Sequence, residues 1–279
     1  MRFSVIIPTL HRCDELILML DSLKNQSFKD FEAIIVDQNE ENILKNIIDE
    51  YKKSLELKHI RIPARGASNA RNNGIRIAKG DILTFPDDDC EYPDNFLKKV
   101  QECFEANTED GIIVSTMDKT DGKAIANLSS NNIMVKRSNI LKTVIEAGIF
   151  IKSNILDGVL FDEDLGVGSP SGYCSDEGPD FILQLLSKGA KIKFYPDFKM
   201  FHPNPVRIYN KKTSTRAYNY GKGRGYFLRK NNFGLKDILY FLFLYVLGML
   251  KSLLFMNMQM FKYFVNGFKG RYEGYFKSK

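Results

Sequence analysis

Apolar residues along the first two hundred positions fall into short runs separated by amphipathic stretches. Phe3 to Ile7 is apolar and β-branched and is closed by Pro8-Thr9, while Phe31 to Val36 repeats the pattern and ends in Asp37. His59-Ile60-Arg61-Ile62 stops before Pro63, and Ile82-Leu83-Thr84-Phe85 runs into Asp87, Asp88 and Asp89. These runs, with Gly111 to Met117 and Lys191 to Tyr195, predict buried strands. Between them, Leu16, Leu20 and Leu23 recur at helical spacing up to Asn25. Ile43 to Tyr51 and Asn95 to Ala106 also read as helices, and Arg65 to Gly80 is a small-residue-rich entry to another. The alternation predicts an α/β fold with a mainly parallel sheet flanked by helices. In such sheets the ligand crevice lies at the carboxyl ends of the strands, where Thr9, Asp37, the Arg65 region and the acidic turn all fall.

From Thr213 the pattern changes. Arg216, Tyr218, Tyr220, Lys222, Arg224, Tyr226, Arg229 and Lys230 interleave basic and aromatic residues, which suits either single-stranded nucleic acid or an interfacial helix on anionic lipid. Ile238 to Leu250 then runs 13 residues without a charge, and Ser252 to Phe261 is again largely apolar. Thirteen helical residues reach ~20 Å against a hydrocarbon core of ~30 Å. A longer span carries Lys251 near its middle, at ~3 kcal/mol on insertion scales. Helices lying in or dipping into the cytoplasmic leaflet are therefore expected, with a buried hairpin in a dimer as the alternative.

Charge sharpens this division. Residues 205–279 hold 15 Lys/Arg against 2 acidic residues, while the first 204 hold 25 against 32, so a basic tail follows an acidic body. An anionic membrane surface is the expected neighbour of the tail, nucleic acid is disfavoured, and a homo-oligomer is left open. The 279 residues suffice for one large domain with an appendage. The apolar opening ends in Pro8 with no small-residue cleavage site, so it reads as a strand of a cytoplasmic protein and not as a signal peptide. Cys13, Cys90, Cys103 and Cys174 form no Cys-x-x-Cys pair, which argues against a zinc site or disulfide framework.

The candidate chemistry sits in two acidic clusters. Three adjacent carboxylates repel one another and demand compensation from solvent, a basic side chain or a cation. In an extended or turn segment Asp87 and Asp89 can converge on one hard cation, Mg²⁺ or Mn²⁺, while Asp88 points elsewhere. The alternative is a solvated turn that caps the next helix through Asp94. Arg65 and Arg71 could meet a phosphate or pin the acidic turn. The second cluster, Ser175-Asp176-Glu177-Gly178-Pro179-Asp180-Phe181, follows the glycine-rich run Gly166 to Gly172, which could fold over a substrate. Acidic residues before Pro179 also suit a helix N-terminus.

Taken in order, Val5-Ile6-Ile7-Pro8-Thr9, Ile34-Ile35-Val36-Asp37, Ala70-Arg71-Asn72-x-Gly74, Gly80-Asp81-Ile82 and Asp87-x-Asp89 with Pro93 resemble the family 2 glycosyltransferases over roughly the first 204 residues. The resemblance implies an inverting enzyme of the GT-A fold, of the membrane-associated bacterial surface-polysaccharide type. It implies a domain over 1–204, with a nucleotide-sugar half to about 118 and an acceptor half beyond, then a helical region over 205–279. Pro8, Thr9, Asp37, Arg65, Arg71, Asp87 and Asp88 would line the nucleotide-sugar pocket. Asp87 and Asp89 would hold a divalent cation against the diphosphate, with His202 as a third ligand. Glu177 is the implied general base, Asp176 the second candidate. Gln38-Asn39-Glu40 departs from the family's Asn-Gly-Ser-like loop, and Gly178 stands where an acidic residue is usual.

The expected function is transfer of a sugar from a nucleotide-diphosphate sugar to a hydroxyl of a lipid-linked or cell-surface glycan at the cytoplasmic face of the membrane. The alternatives are a non-catalytic membrane-bound scaffold that binds sugar nucleotide and a nucleotidyltransferase on a similar fold, the latter lacking a phosphate-cradling Gly-Lys-Ser/Thr loop. No Gly-x-Gly-x-x-Gly follows the first strand, which disfavours a nicotinamide dehydrogenase.

Overall fold

The computed structural model describes residues 1–63, 65–204 and 208–278; the domain boundary expected after residue 204 borders residues outside that set. Two compact units are present. The first comprises Met1–Arg65, Asn69–Phe161 and Phe181–Asn204, and the second comprises Gly66–Ser68, Asp162–Asp180 and the C-terminal helices. Asp162–Asp180, expected in the acceptor half, thus groups with those helices.

The first unit is built on one sheet. Its strands are β1 (Phe3–Thr9), β2 (Phe31–Asp37), β3 (Leu57–Arg61), β4 (Ile82–Thr84), β5 (Gly111–Met117), β6 (Ile133–Met134), β7 (Ile149–Lys152) and β8 (Ile192–Phe201). They lie in the order β3-β2-β1-β4-β7-β5-β8-β6. The pairs β1/β2, β1/β4, β2/β3 and β5/β8 are parallel, whereas β7 runs antiparallel to β4 and β5, and β6 antiparallel to β8. The mainly parallel sheet is as expected. β6 and β7 carry no signal in the sequence reading, and β8 runs on to Phe201 instead of ending at Tyr195.

All seven residues of β1 are buried, as a central strand covered on both faces requires. Phe3, Val5 and Ile7 pack with Leu16, Met19, Leu20 and Leu23 of α1 (Cys13–Lys24), Ile48 of α2 (Lys45–Tyr51) and Phe96, Leu97 and Val100 of α4 (Phe96–Ala106). Ile6, on the opposite face, meets α3 (Ala67–Ile77), where a Cβ on Gly74 would overlap the Ile6 side chain. Gly74 therefore sets how closely α3 lies on the sheet. β4 pairs with β1 only as far as Thr84 opposite Val5, so Pro8 breaks no ladder on that side. Asn95, not Asp94, takes the N-cap position of α4 and makes no side-chain cap bond; the Asp94 carbonyl accepts from the Ser27 amide.

The second unit holds α6 (Lys211–Lys230), α7 (Leu235–Leu254) and α8 (Met258–Phe276), together with the first turn of α5 (Glu177–Ser187). Glycines bring α6 and α8 backbone to backbone. A Cβ on Gly221 would lie 2.6 Å from the Gly267 carbonyl oxygen, and Cβ atoms on Gly270 and Gly274 would overlap the carbonyls of Tyr218 and Lys222. Close approach through small residues replaces side-chain interdigitation along this pair.

The basic-aromatic run of α6 is largely spent inside this unit. Lys222 lies over the Tyr173 ring at 4.9 Å, Arg224 pairs with Asp176 at 2.6 Å, and Lys230 pairs with Asp162 and Asp180 at 2.6 and 2.8 Å. α7 is 20 residues long, with Asp237 in its first turn and Lys251 in its last. Lys251 is thus not mid-span, and α7 is by length and composition long and apolar enough to cross a membrane.

Replacing Gly270 with Ala is expected to force α6 and α8 apart and to cost about 1–3 kcal/mol of stability in urea unfolding; an unchanged midpoint contradicts the close packing.

Candidate active site

The acidic turn after β4 is held by cations from distant parts of the chain. Arg71, on α3, is only 1% exposed; its guanidinium donates to Asp87 Oδ1 at 2.8 Å and lies 5.5 Å from the Phe161 ring centroid. Asn72 beside it donates to the Phe161 carbonyl and accepts from the Phe161 amide, both at 2.9 Å. The Arg-Asn-x-Gly stretch thereby becomes legible: Gly74 seats the helix, Asn72 fixes the Phe161 segment, and Arg71 pins the first carboxylate. Arg12, just before α1, donates to Asp88 Oδ1 at 3.0 Å and to Asp89 Oδ2 at 2.5 Å. Sequence reasoning missed Arg12, whose partners lie more than seventy residues away.

His202, which follows β8, completes the cluster. Its Nδ1–H donates to the Pro203 carbonyl at 2.7 Å, which turns Nε2 toward Asp89 Oδ1 at 3.4 Å and Asp87 Oδ2 at 3.6 Å. Burial works against charge on His202, but the Asp87 hydrogen bond and the charges of Asp87 and Asp89 raise its pKa to about 9. Burial would likewise lift Asp87, yet His202, Arg71 and Arg12 hold it at about 2. Burial prevails at Asp88, which is pushed up to about 7 against the pull of Arg12.

The β1 and β2 crests pair Thr9 with Asp37 in register. Asp37 is fully buried: its Oδ1 accepts from the Asn39 amide and side chain at 2.8 and 2.7 Å, and its Oδ2 lies 3.0 Å from His59 Nε2. His59, read as a strand residue, is therefore the partner of Asp37. Arg65 is exposed and pairs with Glu40 at 3.2 Å, apart from the acidic turn.

In the second unit, Asp176 adopts a left-handed conformation (φ 68°) immediately before Glu177 opens α5. Its carboxylate accepts from Arg224 at 2.6 Å and from Ser175 at 2.9 Å. Asp180 pairs with Lys230 and accepts from Asn231 at 2.9 Å. Glu177 is 5% exposed and packs against Gly166, where a Cβ would come within 3.1 Å of its carboxyl carbon. Gly166, Gly168 and Gly172 all have positive φ, which L side chains rarely adopt. The glycine-rich run is tied down by Ser68 Oγ donating to Leu165 O at 2.6 Å and Ala67 N–H to Val167 O at 2.9 Å.

Residues 4–158, over half of the chain, match the family described as glycosyl transferase family 2. The chain belongs to that family. This family 2 glycosyltransferase is 27% identical over 164 residues to the poly(ribitol-phosphate) β-N-acetylglucosaminyltransferase TarP of Staphylococcus aureus, covering 57% of this chain and 46% of that protein. It is 34% identical over 93 residues to the GalNAc(5)-diNAcBac-PP-undecaprenol β-1,3-glucosyltransferase of Campylobacter jejuni, covering 32% of this chain and 30% of that protein. The chain thus spans less than half the length of these curated relatives.

Two solved structures share the fold. Residues 1–349 of S. aureus TarS in complex with UDP-GlcNAc match with TM-score 0.63 and 16% identity, over 98% of this chain and 91% of that one. The mannosyltransferase PcManGT from Pyrobaculum calidifontis in complex with GDP-Man and Mn²⁺ matches with TM-score 0.66 and 14% identity, over all of this chain and 88% of that one. The fold is the GT-A type that the resemblance implied.

The donor set of this glycosyltransferase suits a hard divalent cation. Asp89 Oδ1 is sealed from solvent without a hydrogen-bond donor, and ligand atoms of Asp89, Cys90 and His202 lie within 4.8 Å of one another. Burial keeps the Cys90 thiol protonated, so oxygen and imidazole are the donors that remain. Asp87 offers Oδ2, since Oδ1 is occupied by Arg71.

Arg71→Met is expected to cost roughly 2 kcal/mol in urea unfolding, less than a fully buried pair because Asp87 is partly exposed. Unaltered stability contradicts the pinning role.

Proposed function

We propose that the protein transfers a sugar from a nucleotide-diphosphate sugar to a hydroxyl of a lipid-linked or cell-surface glycan, with inversion, at the cytoplasmic face of the membrane. The observation that carries this reading is the convergence of Asp87, Asp89 and His202 beyond the strand ends of a family 2 fold. Donor use is supported by the UDP-GlcNAc and GDP-Man complexes of the structural neighbours, and a lipid-linked acceptor by the undecaprenol-linked substrate named for the Campylobacter relative.

Each chain residue then has a task. Arg71 and Arg12 fix the acidic turn, and the carboxylates of Asp87 and Asp89 with the His202 imidazole would hold Mg²⁺ or Mn²⁺. When bound there, the cation would supply Lewis-acid stabilisation of the charge on the departing diphosphate. Glu177 accepts the proton of the acceptor hydroxyl as that oxygen attacks from the face opposite the diphosphate, which inverts the anomeric centre. Thr9 and Asp37, at adjoining strand ends, line the nucleoside side of the donor.

The apolar face of α7 supports membrane attachment. Leu239, Phe243, Leu247, Leu250 and Leu254 recur every three or four residues and are all more than 40% exposed. A transverse orientation would draw Lys262, Lys269 and Arg271 of the packed α8 toward the hydrocarbon, each at ~3 kcal/mol. α7 therefore lies along the interface, and α8 covers its other side.

Glu177→Gln is expected to lower turnover about 10²- to 10⁴-fold with donor affinity kept; unchanged turnover removes Glu177 from the chemistry. In calorimetry with UDP, GDP, dTDP and CMP, one diphosphate should bind only with Mn²⁺, and binding should vanish in Asp87→Ala/Asp89→Ala. Failure of every nucleotide to bind a folded protein contradicts the donor-site assignment. Leu247→Glu/Leu250→Glu should abolish pelleting with anionic vesicles, and retained pelleting contradicts the interfacial face.

A further inference from the structure

The segment that carries His202 is gripped by a buried carboxylate outside the acidic turn. Asp118, immediately after β5, is 1% exposed. Its Oδ1 accepts from the Thr120 amide at 2.8 Å and the Thr120 hydroxyl at 2.5 Å, and its Oδ2 accepts from the Asn204 amide at 2.8 Å. The cause lies in how β5 and β8 part. Their parallel ladder continues past Phe201, because the His202 amide donates to the Met117 carbonyl at 3.0 Å. The next rung needs a carbonyl two residues further on, but the chain has turned there: the Asp118 amide donates to the Lys123 carbonyl at 2.8 Å and the Gly122 amide to the Asp118 carbonyl at 2.9 Å. The short Asp118 side chain supplies the acceptor instead.

One peptide unit then links Asp118 to the imidazole. The amide that Asp118 holds shares a plane with the Pro203 carbonyl, and that carbonyl accepts from His202 Nδ1–H at 2.7 Å. In a trans peptide the N–H and C=O point in opposite directions, so the carboxylate holds one side of the plane and the imidazole the other. Pro203 has a fixed φ and keeps His202 extended, which leaves the plane little freedom beyond its hydrogen bonds. Negative charge on the N–H side also polarises the carbonyl and strengthens its bond to the ring. β8 is braced separately: Glu91 and Phe201 exchange both backbone hydrogen bonds, at 3.0 and 2.9 Å, and Lys119 reaches Glu91 at 2.6 Å. What Asp118 adds therefore falls on the peptide beyond His202.

We propose that Asp118 is a positioning residue that acts through the Pro203–Asn204 peptide to aim His202 Nε2 at the cation site between Asp87 and Asp89. The inference rests on the reading of His202 as a ligand. A ligating histidine commonly donates its other ring N–H to a carboxylate or a backbone carbonyl, and that partner fixes the ring's orientation. Here the two partners act in series, the carbonyl on the ring and the carboxylate on the carbonyl's own peptide.

The test compares Asp118→Ala, Asp118→Asn and Asp121→Ala in the full chain in detergent. Asp121 accepts from the Lys123 amide at 3.0 Å, so its loss loosens the same turn without touching the Pro203–Asn204 peptide. In metal-free protein carrying ¹⁵N-labelled histidine, the Nδ1–H proton resonance that disappears in His202→Ala reports the bond to Pro203. It should persist in wild type and Asp121→Ala and be lost in Asp118→Ala. Titrated with Mn²⁺, Asp118→Ala should bind roughly 10- to 100-fold more weakly, Asp118→Asn should fall between it and wild type, and Asp121→Ala should match wild type. Because Asp118 acts through His202, Asp118→Ala should weaken Mn²⁺ binding no further in a His202→Ala background. A wild-type resonance and affinity in Asp118→Ala, an equal loss in Asp121→Ala, or a full further loss in the His202→Ala background overturns the proposal. If Asp118→Ala fails to fold, Asp118→Asn decides: wild-type affinity with a wild-type resonance overturns the assignment. Failure of His202→Ala to weaken Mn²⁺ binding sinks the ligand reading and this inference with it, whereas a weakening by His202→Ala that Asp118→Ala does not share sinks this inference alone.

Discussion

Three consecutive carboxylates occupy one turn only if positive charge meets them, and the first unit is arranged around that requirement. Arg71 arrives from α3, Arg12 from the start of α1, and His202 from the end of β8, so three separate elements are registered on Asp87, Asp88 and Asp89. Each arrival has a packing cause. Gly74 lets α3 lie against Ile6, and Asn72 locks the Phe161 segment under the Arg71 guanidinium. β8 runs to Phe201 because its upper half pairs with β5 beyond a register shift, which carries His202 to the carboxylates. Asp89 Oδ1 is left without a hydrogen-bond donor, and the His202 imidazole faces it at 3.4 Å.

The second unit follows a different logic. Glycines on α6 and α8 dispense with side chains between the two helices, and the basic residues of α6 find carboxylates or rings within the unit. One feature is left outward by that economy: the broad apolar face of α7. Attachment to a bilayer would give it a partner.

Much of this was readable from the chain. Buried strands that end in Asp37 and in the acidic turn stand out because apolar runs broken by charge or proline leave few other readings. The pairing of Arg71 with the turn was open in the sequence and is what the fold contains, whereas Arg65 pairs elsewhere. β7 escaped because four residues, Ile149 to Lys152, are too few to show a period and pair antiparallel with strands far away in sequence. Arg12 escaped for a related reason: no local pattern marks a cation whose partners lie beyond three further strands. Lys251 misled in the other direction, because helix α7 begins three residues before the uncharged run and places that lysine in its last turn. The basic-aromatic alternation of α6 looked like a surface for anions, yet most of its charges are internal partners.

The central claim is that Asp87, Asp89 and His202 together hold one divalent cation. Electron spin-echo spectroscopy of Mn²⁺ added to protein carrying ¹⁵N-labelled histidine measures this directly. The account predicts one strongly coupled imidazole nitrogen that disappears in His202→Ala, with Mn²⁺ affinity lost in Asp87→Ala/Asp89→Ala. Mn²⁺ bound without any histidine coupling, or bound equally well by the double variant, contradicts it.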